Sequence, residues 1–150
     1  MLEQNDKGIR RWRAAWIALG CALTLHVTDE ALSGFLPVYN RVVIGLRESL
    51  GWVPFPTFTF RVWLTGLILG VITLFGLTPL ITREREWLRV ISLILAVIMV
   101  GNGIGHIVAS VWWHVFAPGV YSSPLLLAAA IALFVTAKRV KPTSSAHGPN

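Results

Sequence analysis

The sequence predicts an all-α membrane protein: a four-transmembrane-helix bundle with a short amphipathic interfacial helix between helices 1 and 2. Three observations carry that expectation. The chain has 150 residues, of which 55% are hydrophobic and only 13% charged, where a soluble domain carries roughly 25% charged residues; mean hydropathy is +0.67. Four apolar stretches come close to the ~20 residues that cross a bilayer. The Lys and Arg residues gather at the ends of these stretches, not along one polar face. The net charge of +6 therefore reads as membrane topology, and nucleic acid is not an expected partner.

The first span runs from about Ala14 to Leu36, with Pro37 as its natural stop. The second runs from about Phe60 to Ile81, the third from Trp87 to about Val111, and the fourth from about Tyr121 to Ala137. Between the first two, Val38, Val42, Val43, Leu46 and Leu50 recur at helical spacing, with Arg41, Arg47 and Glu48 on the other side. That pattern predicts a short helix lying on the outer membrane surface. "PFPTF" then punctuates before the second span.

The basic residues orient the spans. Lys7, Arg10, Arg11 and Arg13 precede the first; Arg83, Arg85 and Arg89 lie around the turn between the second and third; Lys138, Arg139 and Lys141 follow the fourth. Arg41, Arg47 and Arg61 are the remainder of the 13 Lys and Arg. The positive-inside rule puts both termini in the cytoplasm, which an even number of spans also requires. Trp12, Trp16 and Trp87 then fall at the inner boundary and Trp52, Trp63, Trp112 and Trp113 at the outer one, the level an indole prefers. The chain divides into a basic cytoplasmic N-terminus (1–13), a four-helix transmembrane domain (14–137) and a disordered cytoplasmic tail (138–150), to which His147 belongs without a role. The excess of Arg over Lys and the compactness suggest a bacterial inner membrane. The lone Cys21 excludes an internal disulfide and a thiolate metal site. The first span resembles a signal peptide in its basic start, and "IALGC" loosely resembles a lipoprotein box. No small-residue cleavage pattern follows and apolar character resumes at "ALSGFLPV", so a retained helix is expected.

Ionisable groups inside such spans need an explanation. His26, Asp29 and Glu30 lie at i, i+3 and i+4 and share one helix face; Asn102 and His106 do the same in the third span. Both helices run from inside to outside. The pairs lie about 13 and 17, and about 14 and 18, residues beyond their helix starts, so at ~1.5 Å per residue they are level in the outer half of the bilayer. A charge facing lipid costs about 2.5–3.5 kcal/mol on insertion scales, so the two patches are expected to face each other. Gly66 and Gly70, and Gly101, Gly103 and Gly105, are expected to permit close helix approach. His114, Tyr121 and Ser122, in the outer connection, are within reach of the pocket mouth as accessory residues.

"HVTDE" resembles the H-x-x-E-E motif of the HXXEE-domain integral membrane proteins, with Asp29 at the first acidic position, and "NGIGH" matches that family's accompanying N-x-x-x-H. "VYSSP" lies where the family carries Y-x-P-G, but Tyr121 and Pro124 are one residue too far apart and no Gly follows, which leaves the role of Tyr121 open. The ordered set covers roughly residues 15–137. The resemblance implies an integral-membrane enzyme whose catalytic residues are His26, Asp29, Glu30, Asn102 and His106.

Two chemistries suit these residue types. His26, Glu30 and His106 suit a divalent metal such as zinc, iron or manganese, with Asn102 a weak ligand or a support for one. Without a metal, a buried carboxyl group and a histidine suit acid–base catalysis. Either predicts a lipophilic small-molecule substrate arriving among membrane lipids. A small transporter or proton or metal-ion conduit, requiring a homodimer, is the alternative, as is a structural or ligand-binding membrane protein whose polar groups join helices. Polar groups at one depth favour a site over a path.

Overall fold

The computed structural model describes residues 2–81 and 86–140. Among them the chain is helical, with no strand: α1 (Leu2–Ser33), α2 (Phe35–Leu50), α3 (Phe60–Gly76), α4 (Thr78–Ile81), α5 (Glu86–Trp113) and α6 (Ser123–Arg139). Arg83, Arg85, Lys141, His147 and the tail from 141 onward lie outside the described residues.

Phe60–Ile81 (α3 with α4) and Glu86–Trp113 (α5) are long and apolar enough to cross a membrane. Neither α1 nor α6 meets that measure. α1 carries its charges within the helix, and α6 has 17 residues.

α1 begins at Leu2, well before the expected Ala14, and absorbs the basic N-terminus into one 32-residue helix. The reason is a stripe that continues through the basic segment: Ile9, Trp12, Trp16 and Leu19 are buried while Arg10, Arg11 and Arg13 fan over the exposed side. The helix ends at Gly34, whose φ of +80° is left-handed and favours glycine. Pro37 is not the stop. It sits in the first turn of α2, where a missing N–H costs nothing. α6 continues to Arg139, so Lys138 and Arg139 form its last turn and the tail does not begin at 138.

α6 packs against both α5 and α1, and α1 packs in turn against α2, α3 and α4. The core between them is Leu19, Ala22, Ala96, Leu126, Ala130 and Leu133, with two indoles. Trp12 and Trp16, expected at a membrane boundary, are each 1% exposed. Trp12 Nε1 donates to Ser92 Oγ of α5 at 3.0 Å, and Trp16 Nε1 donates to the Leu74 carbonyl at 2.8 Å. That carbonyl belongs to the last turn of α3, where no helical partner remains. Trp63 is also buried, beside Phe35 and Phe60, whereas Trp52, Trp87, Trp112 and Trp113 are exposed.

The glycines divide differently from expectation. A Cβ on Gly66, Gly70, Gly101 or Gly105 would meet nothing within 4 Å. On Gly103 it would lie 2.7 Å from Leu127 Cγ and 3.3 Å from the Ser123 carbonyl, and on Gly20 it would lie 2.8 Å from Leu74 and Phe75. The close approaches are therefore α5 to α6 at Gly103 and α1 to α3 at Gly20. Gly103→Ala is expected to lower stability by about 1–3 kcal/mol through overpacking. Gly66→Ala is expected to leave it unchanged or raise it by up to about 1 kcal/mol through helix propensity. Thermal unfolding of both variants in one detergent checks the contrast.

Candidate metal centre

Three side chains meet where α1, α5 and the 114–122 connection converge. His26 and Glu30 face inward one turn apart on α1, and His106 reaches them from α5; they are 0%, 5% and 6% exposed. Glu30 Oε1 lies 3.1 Å from His106 Nε2 and 3.5 Å from His26 Nε2. The two imidazoles meet edge to face, with centroids 4.9 Å apart. One ligand atom from each of the three lies within 4.8 Å of the other two, so the group could hold a metal ion.

The donor set and its spacing suit one. Two neutral imidazoles and a carboxylate are a common donor set at catalytic zinc sites. Metal–ligand bonds of about 2.0–2.1 Å at tetrahedral angles separate neighbouring donors by about 3.3 Å; the two contacts of Glu30, 3.1 and 3.5 Å, bracket that value, and the two histidines offer donors within 4.8 Å of each other.

Asn102 and Asp29 take supporting positions. Asn102 Nδ2 lies 3.4 Å from His26 Nε2. Asp29 turns away from the three donors toward the start of α6. Its Oδ2 accepts from the Ser122 backbone N–H at 3.0 Å and from Ser122 Oγ at 2.7 Å. A carboxylate at a helix N-terminus is favourably placed. Ser122 holds the N-cap position of α6, yet its hydroxyl makes no cap bond. It lies instead 2.8 Å from His26 Nδ1, with the Gly119 carbonyl at 3.2 Å as an alternative acceptor.

Gly119 forms the back wall. Its φ is +84°, and a Cβ there would lie 2.8 Å from His106 Cε1, 2.9 Å from His106 Nδ1 and 3.1 Å from Glu30 Cγ. Its N–H donates to Ser33 Oγ at 3.2 Å, and its carbonyl accepts from Ser123 Oγ at 2.8 Å. Sequence reasoning missed this residue. "APGVYSSP" signals a turn followed by a helix start, but nothing in it signals that the turn backs onto a histidine.

Tyr121 and His114 are not brought to the cluster. Tyr121 is 71% exposed and stacks on Phe116, and His114 is exposed at the end of α5 with a φ of +53°.

An apolar groove of about 230 Å³ opens the cluster to the side, between α2 and α5. Phe35, Val38, Tyr39 and Trp113 line it, with Asn102 and His106 among its walls. Phe35 also packs on the His106 ring, with centroids 5.3 Å apart. A larger groove of about 360 Å³ lies between α1 and α3, but no titratable side chain lines it.

The fold and site together define a chain that is helical, without strands, among the described residues and carries a buried two-histidine, one-carboxylate cluster. No protein-family profile, curated protein or solved structure matches it.

Proposed function

We propose that this chain is an integral-membrane enzyme whose four spans are α1, α3 with α4, α5 and α6. Both termini lie in the cytoplasm of a bacterial inner membrane, and His26, Glu30 and His106 form a reaction centre for a lipophilic substrate. The resemblance of "HVTDE" and "NGIGH" to the HXXEE-domain motifs is part of this proposal. The observation that carries it is the convergence of three buried donors, two of them a helix turn apart on α1 and the third on α5, beside an apolar groove.

Membrane residence is supported by what the two long apolar helices leave uncovered. Only 11% and 22% of their most apolar windows is buried inside the protein, and Ile68, Leu69, Ile72, Ile94, Val97 and Ile98 are all exposed. A soluble monomer rarely exposes so much contiguous apolar surface. At 17 residues α6 is at the short end of the ~17–25 that span a bilayer. α1 buries its two inward ionisable groups against protein. A conduit is disfavoured because the core between the cluster and the basic end of α1 is filled by aliphatic side chains and indoles.

A divalent metal held by the three donors supplies a Lewis acid and an activated water. The chain's own contribution is positional. The groove aligns an apolar substrate against Asn102 and His106, and Phe35 screens the imidazole from water.

Elemental mass spectrometry of the detergent-purified protein tests the reading, with His26→Ala and His106→Ala beside wild type and Glu30→Gln as the isosteric variant. About one metal per chain is expected, lost in all three. No metal after refilling with zinc, iron and manganese would overturn the metal reading and leave Glu30 with its two imidazoles as an acid–base set.

A further inference from the structure

We infer that Ser122 is a positioning residue that holds His26 as its Nδ1–H tautomer and so keeps the Nε2 lone pair aimed into the cluster. The inference deepens the reading of the cluster as a ligand site and rests on it.

The argument is an accounting of hydrogens. A serine hydroxyl has one proton to donate. Ser122 Oγ has three neighbours: Asp29 Oδ2 at 2.7 Å, the Gly119 carbonyl at 3.2 Å and His26 Nδ1 at 2.8 Å. The carbonyl can only accept, and Asp29 Oδ2 already acts as an acceptor, for the Ser122 backbone N–H at 3.0 Å. Asp29, the nearer of the two, takes the hydroxyl proton. The 2.8 Å contact to His26 is then a hydrogen bond only if Nδ1 carries a hydrogen and donates it. A neutral ring protonated at Nδ1 has its lone pair at Nε2, the atom that faces Glu30 Oε1 and Asn102 Nδ2. The Asn102 amide, 3.4 Å away, is a donor suited to that lone pair, whereas Glu30 Oε1 at 3.5 Å suits an Nε2–H; the much shorter 2.8 Å contact to Ser122 decides for Nδ1–H.

Asp29 completes the device. Its Oδ2 takes both the backbone N–H and the hydroxyl of Ser122, which fixes the hydroxyl rotor. The chain Asp29–Ser122–His26 thus reproduces, with a hydroxyl inserted, the carboxylate–histidine arrangement that orients metal-bound imidazoles. This accounts for two observations at once. Asp29 stands one residue from Glu30 yet lies outside the donor cluster, and Ser122 occupies an N-cap position without capping.

Nitrogen NMR of the protein carrying ring-labelled histidine tests it, with the His26 signals assigned by their loss in His26→Gln. Wild type and Ser122→Thr are expected to show His26 protonated at Nδ1. Ser122→Ala is expected to move that proton toward Nε2, the form a free histidine side chain prefers in water. Cobalt(II) titration, read by its visible absorption, is expected to weaken about 10- to 100-fold in Ser122→Ala and to recover in Ser122→Thr. A wild-type His26 protonated at Nε2, or a tautomer unchanged in Ser122→Ala, would overturn the inference. The wild-type spectrum decides the tautomer once His26→Gln has assigned the signals, without any Ser122 variant having to fold. Failure of wild type to bind cobalt would instead overturn the metal reading, with the ring-nitrogen spectrum still deciding the role of Ser122.

Discussion

His106→Ala is expected to destabilise the fold by about 1–3 kcal/mol, the usual consequence of leaving a buried polar group without its hydrogen-bond partner. The cause is Glu30. Its carboxyl group is 5% exposed, and His106 is its nearer imidazole at 3.1 Å. Truncation leaves that oxygen facing His26 alone, at 3.5 Å, in a site the apolar groove does not hydrate well. The double variant Glu30→Gln with His106→Ala is expected to recover much of the loss, since an amide is far cheaper to bury than a carboxylate. Unfolding of the two single variants and the double variant in detergent closes the cycle. Additive losses would show that Glu30 does not depend on His106 and would remove the electrostatic basis of the cluster.

Gly119→Ala is expected to disable the cluster while Gly34→Ala leaves it working. Both glycines have positive φ, +84° and +80°, so an alanine costs about 1–2 kcal/mol of backbone energy at either. They differ in what the new methyl group meets. At Gly34 nothing lies within 4 Å, whereas at Gly119 the methyl would overlap His106 Cε1 and Nδ1 and press on Glu30 Cγ. Overpacking adds about 1–3 kcal/mol, and the atoms that must move belong to the His106 and Glu30 side chains of the cluster. Bound metal per folded chain should fall in Gly119→Ala and hold in Gly34→Ala. Equal metal content in the two would mean that the turn does not shape the site.

The donors were legible because helical geometry is regular. His26 and Glu30 at i, i+4, and His106 at a matching depth on a helix running the same way, are statements about a 3.6-residue repeat, and burial cost supplies the reason for the two patches to meet. Element bounds were legible where proline, glycine and apolar runs agree, as at Phe60–Ile81. Three features were not. Trp12 and Trp16 read as boundary residues because an indole suits an interface and a core equally well; the acceptors that decide the matter, Ser92 Oγ and the Leu74 carbonyl, lie 80 and 58 residues away along the chain. Gly66 and Gly70 fit the spacing of a packing motif, but spacing does not say which face meets a neighbour. Asp29 and Glu30 are adjacent and chemically alike. Their separation into a support and a donor depends on the 100° turn between successive residues and on Ser122, which is 93 residues from Asp29.

One wall of the groove is built as a single piece. Asn40 grips the backbone of Phe58 from both sides, Nδ2 donating to its carbonyl at 2.9 Å and Oδ1 accepting its N–H at 3.1 Å, as a neighbouring strand would. Tyr39 adds a bond from its hydroxyl to the Pro56 carbonyl at 3.0 Å, and Arg47 donates to the Phe55 carbonyl. α2 and its return segment are thereby laminated into one plate. It is bounded by Gly34 at one end and by Thr59, the N-cap of α3, at the other. Removing the Asn40 amide would therefore loosen one whole wall of the groove without touching His26, Glu30 or His106.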